Sequence, residues 1–192
     1  MMRRLMCAGV VVVFLLLAAN GQEKEQQKGK QKTESYTAMA VGVRGAAAAS
    51  STSLNFRVNE YTSDEQAEEF LKLLVEGGVD HLRRALEKVK VGTVAPAGRL
   101  GTDIAVARRR QTEAGTLLTF VTARNMPFFE LYRSGRSTNY PFGVFQLLVD
   151  EEGKGEGSAI AAARVFFDKE DRLVIESYGH MDTIRLVNVR RY

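Results

Sequence analysis

The sequence predicts an α+β protein rich in β-structure: an antiparallel curved sheet or barrel of about eight strands, with a two-helix insertion after the first strand. Three observations carry this. From Thr102 onward, short apolar runs alternate with turn-forming clusters, as in strands joined by hairpins. Helical periodicity is confined to one stretch between Ser63 and Val89. The strands follow one another without intervening helices, which argues against βαβ units and for antiparallel pairing. An open sheet of that size leaves two unpaired edges, and closure into a barrel removes them.

The chain begins with an export signal. Arg3 and Arg4 precede an apolar run from Ala8 to Ala19, and the small and polar residues Ala19-Asn20-Gly21 follow it. A membrane span needs about 20 apolar residues, so the run reads as a cleavable signal rather than an anchor. Cleavage after Gly21 places small residues at both recognition positions, and cleavage after Ala19 is the alternative. Cys7 lies before the apolar run, so lipidation is not expected. Residues 22–53 read as a disordered linker. Its first part is rich in Glu, Lys and Gln and its second in Ala, Gly and Ser, and neither buries enough apolar surface to offset the entropy of ordering. The organisation is therefore signal peptide 1–21, linker 22–53 and a single β-rich domain 54–192, secreted or periplasmic, with no membrane span after cleavage.

Within the domain, Leu54, Phe56 and Val58 alternate with Asn55, Arg57 and Asn59, the period of a half-buried strand. Ser63 with Gln66 forms a capping-box pattern, and Ala67, Phe70, Leu71 and Leu74 follow at helical spacing. Gly77-Gly78 ends this helix, and a second begins near Asp80 with Leu82, Ala85, Leu86 and Val89 on one face. Val91 to Gly101, punctuated by Gly92, Pro96, Gly98 and Gly101, reads as a loop. Strands are then expected at 102–110, 116–124, 127–133, 142–150, 157–167, 173–178 and 183–190. The segment Phe142 to Asp150 is apolar on both faces, as expected of a strand covered on both sides.

The segments Tyr61-Thr62-Ser63-Asp64-Glu65-Gln66, Ser137-Thr138-Asn139-Tyr140-Pro141-Phe142 and Asp150-Glu151-Glu152-Gly153-Lys154-Gly155-Glu156-Gly157, in this order behind a signal peptide, resemble a group of uncharacterised secreted bacterial proteins. The resemblance covers Leu54 to Tyr192 and implies the domain limits. It transfers no activity, ligand or catalytic residue.

Composition narrows the chemistry. Cys7 is the sole cysteine and leaves with the signal, which excludes disulfides, thiolate metal ligands and cysteine catalysis in the mature chain. Removing Arg3 and Arg4 from the 27 basic residues leaves 25 against 23 acidic ones, too even a balance for a nucleic-acid footprint. His81 and His180, without cysteines, argue against a zinc site, so neither metal nor cofactor is expected. No G-x-S-x-G nucleophile elbow occurs. Asp150 to Gly157 lacks the ligand spacing of a calcium loop and reads as a hairpin turn.

Two candidate sites remain. Arg108, Arg133, Arg136, Asn139 and Tyr140 could converge on a carboxylate or phosphate, since guanidinium forks pair bidentately with such groups. Ala159, Ala161 and Ala163 lie at alternate positions of one strand. Small side chains there either line a cavity or allow close packing. The reading that follows is a binding or structural module for a small apolar, amphipathic or anionic ligand, or for an envelope partner. The alternative is a cofactor-independent barrel enzyme of cyclase or isomerase type, which would need a buried carboxyl facing a cavity with a strongly raised pKa. A third possibility is a subunit that pairs an uncovered strand edge with another chain.

Overall fold

A computed structural model describes residues 33–42, 51–124, 139–170, 172–178 and 184–192. It contains β1 (Glu34–Val41), β2 (Ser51–Val58), α1 (Asp64–Leu86), β3 (Gly92–Pro96), β4 (Thr102–Thr112), β5 (Gly115–Thr122), β6 (Phe142–Val149), β7 (Lys154–Phe167), β8 (Leu173–Ser177) and β9 (Ile184–Arg191). The strands pair in the order β6-β5-β4-β3-β2-β1-β9-β7-β8, and a β6–β7 pairing closes the ring. Every ladder is antiparallel. The fold is thus a closed eight-stranded barrel with one extra strand. Ala163 pairs with Phe142 on one side and Ser177 on the other, so β8 sits on the β9 side of β7, as a short outlying continuation.

Two apolar clusters flank the barrel wall. The inner one fills the barrel: Leu54 and Phe56 from β2, Leu118 and Phe120 from β5, Phe145 and Leu147 from β6, and Leu186 from β9 are all fully buried in it. Phe56 stands against Phe120 at 5.6 Å and meets Phe145 edge-on at 5.3 Å. The outer cluster joins Leu74, Leu82 and Leu86 of α1 to Ala105, Ala123, Phe142, Val144 and Ala163 on the outside of β4 to β7. β6 therefore lies between two apolar layers, as its uninterrupted apolar run required.

The helical insertion is one element rather than two. Ser63 caps it: the Gln66 amide donates to Ser63 Oγ, and the Ser63 amide donates to Gln66 Oε1. Gly78 interrupts it at φ 68°, a backbone setting open to glycine at little cost, and the chain resumes helix at once. The kink lies at Gly78, and Leu74 before it and Leu82 after it both belong to the outer cluster.

Two segments depart from expectation. β1 occupies Glu34–Val41, inside the stretch read as a linker. Its inner positions are Glu34, Tyr36, Ala38 and Ala40, and the small residues hid the alternation. Pairing on both sides, with β2 and β9, supplies the order that composition did not promise. β3 forms within the stretch read as a loop, where Gly92, Val94 and Pro96 face the core and Pro96 ends the strand. The strand expected at 127–133 lies outside the described residues.

Candidate functional site

The inner face of the barrel changes character at the end where β1 begins and β4 and β6 finish. Glu34 and Tyr36 lie two apart on β1 and share a face. The Tyr36 hydroxyl donates to Glu34 Oε2 at 2.6 Å. The Tyr61 hydroxyl, from the crossover into α1, donates to the same oxygen at 2.8 Å. Arg109 of β4 completes the group: its Nη2 donates to Glu34 Oε2 and, at 2.9 Å, to the Tyr61 hydroxyl, while its guanidinium lies 4.5 Å from the centre of the Tyr61 ring.

Arg109 faces inward because of a bulge. Ile104 faces the core, and counting by twos from it would turn Val106 and Arg108 inward. An extra residue between Ile104 and Val106 shifts the phase, so Ala107 and Arg109 face in instead. Arg109 stands opposite Leu118, which is fully buried.

Burial by itself would raise the Glu34 carboxyl, but the hydrogen bonds from Tyr36, Arg109 and Tyr61 together outweigh it and hold it below the ordinary carboxylate range. Burial, reinforced by the neighbouring carboxylate, pushes both phenols upward, and Tyr61 far upward. Burial works against the charge on Arg109, but pairing with Glu34 more than compensates. The group is an ion pair with two committed phenol protons, so it holds no poised base. The described carboxyls that leave their ordinary value, Glu34, Glu65 and Asp168, all move down.

Tyr36 and Arg109 of this group line a half-open depression of about 640 Å³. Its walls are the β4–β5 hairpin with Gln111, Glu113 and Thr116, the β6–β7 turn with Asp150, Glu151 and Gly153, and Arg191 at the end of β9. The β6–β7 turn is the expected hairpin: Gly153 N–H donates to the Asp150 carbonyl and Lys154 N–H to Asp150 Oδ1.

The described residues among those singled out in the sequence do not gather here. Arg108 faces outward and ties β4 to the start of α1, donating to the Thr62 carbonyl at 2.9 Å and to Asp64. Its level on β6, through Thr119, is Gln146. That lies six residues, or roughly 20 Å along the strand, from Tyr140. Tyr140 belongs to a cluster near the opposite end. It meets Tyr178 edge-on at 5.3 Å and shares Glu176 with Arg164, and burial followed by that carboxylate raises its phenol. Asn139 is exposed beside it, and Arg133 and Arg136 lie outside the described residues.

The three alanines also divide. Ala159 and Ala161 belong to the inner cluster, and Ala159 stands opposite Phe145. A second bulge, between the Val144–Ile160 and Phe142–Ala163 pairs, turns Ala163 to the outer cluster beneath α1. Ala159 thus stands by the aromatic filling, Ala161 is partly buried against the same cluster, and Ala163 belongs to the layer that α1 covers.

The mouth residues Glu34, Tyr36, Tyr61, Arg109 and Arg191 escaped the sequence reading. The available signal was Arg109 itself, inside a basic triplet. No group of three or more metal-ligating side chains occurs among the described residues, and no helix there is long and apolar enough to cross a membrane. No family model, curated protein or solved structure matches this chain.

Proposed function

We propose that this is an exported small-molecule-binding module, secreted or periplasmic, whose site is the polar mouth of the barrel. One observation carries the reading. The barrel interior is filled by Phe56, Phe120 and Phe145 and their neighbours, whereas its inward-facing side chains become polar at one end, where Tyr36 and Arg109 line the depression of about 640 Å³. A pocket with a few converging polar groups is where small ligands bind. The filled interior moves the ligand from the middle of the barrel to its rim and favours an amphipathic molecule over a purely apolar one.

Native mass spectrometry of protein purified without denaturant tests this. The expected result is an excess mass that organic extraction removes and that Gln111→Trp, which fills the mouth, abolishes. A spectrum of protein mass alone, or an excess mass retained by the Trp variant, overturns the reading. Export is tested separately by sequencing the N-terminus of secreted protein. It should begin at Gln22, or at Asn20 if cleavage follows Ala19.

A further inference from the structure

The mouth carries charges of both signs that the fold does not use. Arg109 is committed to Glu34 and Tyr61. Arg191 is not: among the described residues its guanidinium enters no ion pair. Its direction is nevertheless fixed. Arg191 stands directly opposite Tyr36 in the β1–β9 ladder, so the two share a face, and Tyr36 is an inner residue. The strand is pinned on either side, by Arg191 N–H to the Gly153 carbonyl at 2.8 Å and Tyr192 N–H to the Ser35 carbonyl at 3.0 Å. Gly153, at φ 76°, lies so close that a Cβ there would come within 2.6 Å of Arg191 Cβ. The turn thus packs along the arginine, whose Nε would stand 3.4 Å from that added Cβ, and Arg191 lines the depression. Gln111 reaches the same wall, where its Oε1 accepts from Thr116 Oγ1 at 2.9 Å, leaving its amide N–H donors unused by that bond.

The opposite sign sits on the two hairpins. Glu113 and Glu151 line the depression and, among the described residues, form no ion pair. A dianion would meet Arg191 only against these carboxylates. A simple cation would meet them only against Arg191. We infer that the mouth binds a small zwitterion, its carboxylate on Arg191 with the Gln111 amide and its ammonium on Glu113 and Glu151. This rests on the mouth being the ligand site. It goes further in naming the chemical class.

The probes are 6-aminohexanoate and its two halves, hexanoate and hexylammonium, titrated into the purified protein and followed by NMR of the Gln111 amide and Arg191 guanidinium protons. The zwitterion should shift both signals and bind about tenfold tighter than either half, since one charge-assisted contact is lost in each. Arg191→Gln should weaken it about tenfold, with Arg191→Lys restoring part of the loss. The double change Glu113→Gln, Glu151→Gln should erase the preference for the zwitterion over hexanoate. Equal binding of hexanoate and 6-aminohexanoate, or unchanged affinity in Arg191→Gln, overturns the zwitterion assignment but leaves the mouth as a ligand site. A molecule recovered by native mass spectrometry that binds there and carries no ammonium does the same. Failure of all three probes to shift mouth signals also overturns it, while the mass-spectrometric test decides the broader reading independently.

Discussion

Phe145→Ala measures whether the barrel interior is as solid as its packing implies. Phe145 is 0% exposed, meets Phe56 edge-on at 5.3 Å, and stands opposite Ala159, which is 1% exposed. Truncating it removes a ring from a site walled by strands on all sides, where little collapse is possible. Such losses run at about 3–5 kcal/mol, against a stability of about 5–15 kcal/mol for a whole domain. For a domain of this size each kcal/mol lowers Tm by roughly 2–4 °C, so the expected drop is about 6–20 °C. Ala159→Leu alone should overpack the same place and cost about 1–3 kcal/mol. Combined with Phe145→Ala it points into the void and should recover part of the loss. The double-mutant cycle then gives a coupling of opposite sign to the single effects. Urea unfolding followed by circular dichroism, with calorimetry for Tm, reads all three variants. A Phe145→Ala cost below about 1 kcal/mol, with Ala159→Leu neutral, would mean slack in the interior and would refute both the filled barrel and the move of the ligand to its mouth.

Three further outcomes follow from the same geometry. Because the Glu34 carboxyl is held below its unfolded value near 4.3, its contribution to stability is complete above that pH and is lost as pH falls through the lower folded value. Urea unfolding across a pH series should therefore show a steeper acid decline in the native protein than in Glu34→Gln, and parallel curves would contradict it. Thr62→Val removes the hydroxyl that accepts from the Ala107 amide at 3.0 Å. It leaves a buried donor unmatched and should cost about 1–3 kcal/mol by chemical denaturation, whereas Thr62→Ser should cost much less. Gly78→Ala has open space for its Cβ but must hold φ near 68°. With ψ near −170° this is a backbone region almost confined to glycine, so a loss of about 1–3 kcal/mol is expected from backbone strain alone, and a stabilised variant would show that the kink is dispensable.

The fold was more legible than the site, and the bulges explain much of the difference. Alternation and turn residues located β2 and β4 to β9, and the apolar run of β6 announced that both its faces are covered. Alternation also says which residues share a face, but only until an extra residue enters. One bulge in β4 turned Arg109 inward and Arg108 outward, so the arginine chosen from the sequence, Arg108, lies on the outer face. Another, where β7 pairs with β6, sent Ala163 to the far side of the wall from Ala159. Nothing in the local sequence marks either one, because a bulge is fixed by the register of the partner strand. β1 was hidden differently. Alternation among Ala38, Ala40 and small polar residues is weak, and the strand gains its order from neighbours near both ends of the described chain.

The pairing of Tyr36 with Arg191 has a consequence in time. The seam between β1 and β9 joins residues separated by most of the chain, so the ring cannot close until the final strand is present. Contacts of such long range slow folding. A chain crossing a membrane N-terminus first would leave β1 waiting, with only β2 to pair, while the rest emerged. The polar and small residues that make β1 so hard to recognise are also those that keep a waiting strand from aggregating. Deletion of the last eight residues should leave a species with two open edges, prone to join to itself rather than close.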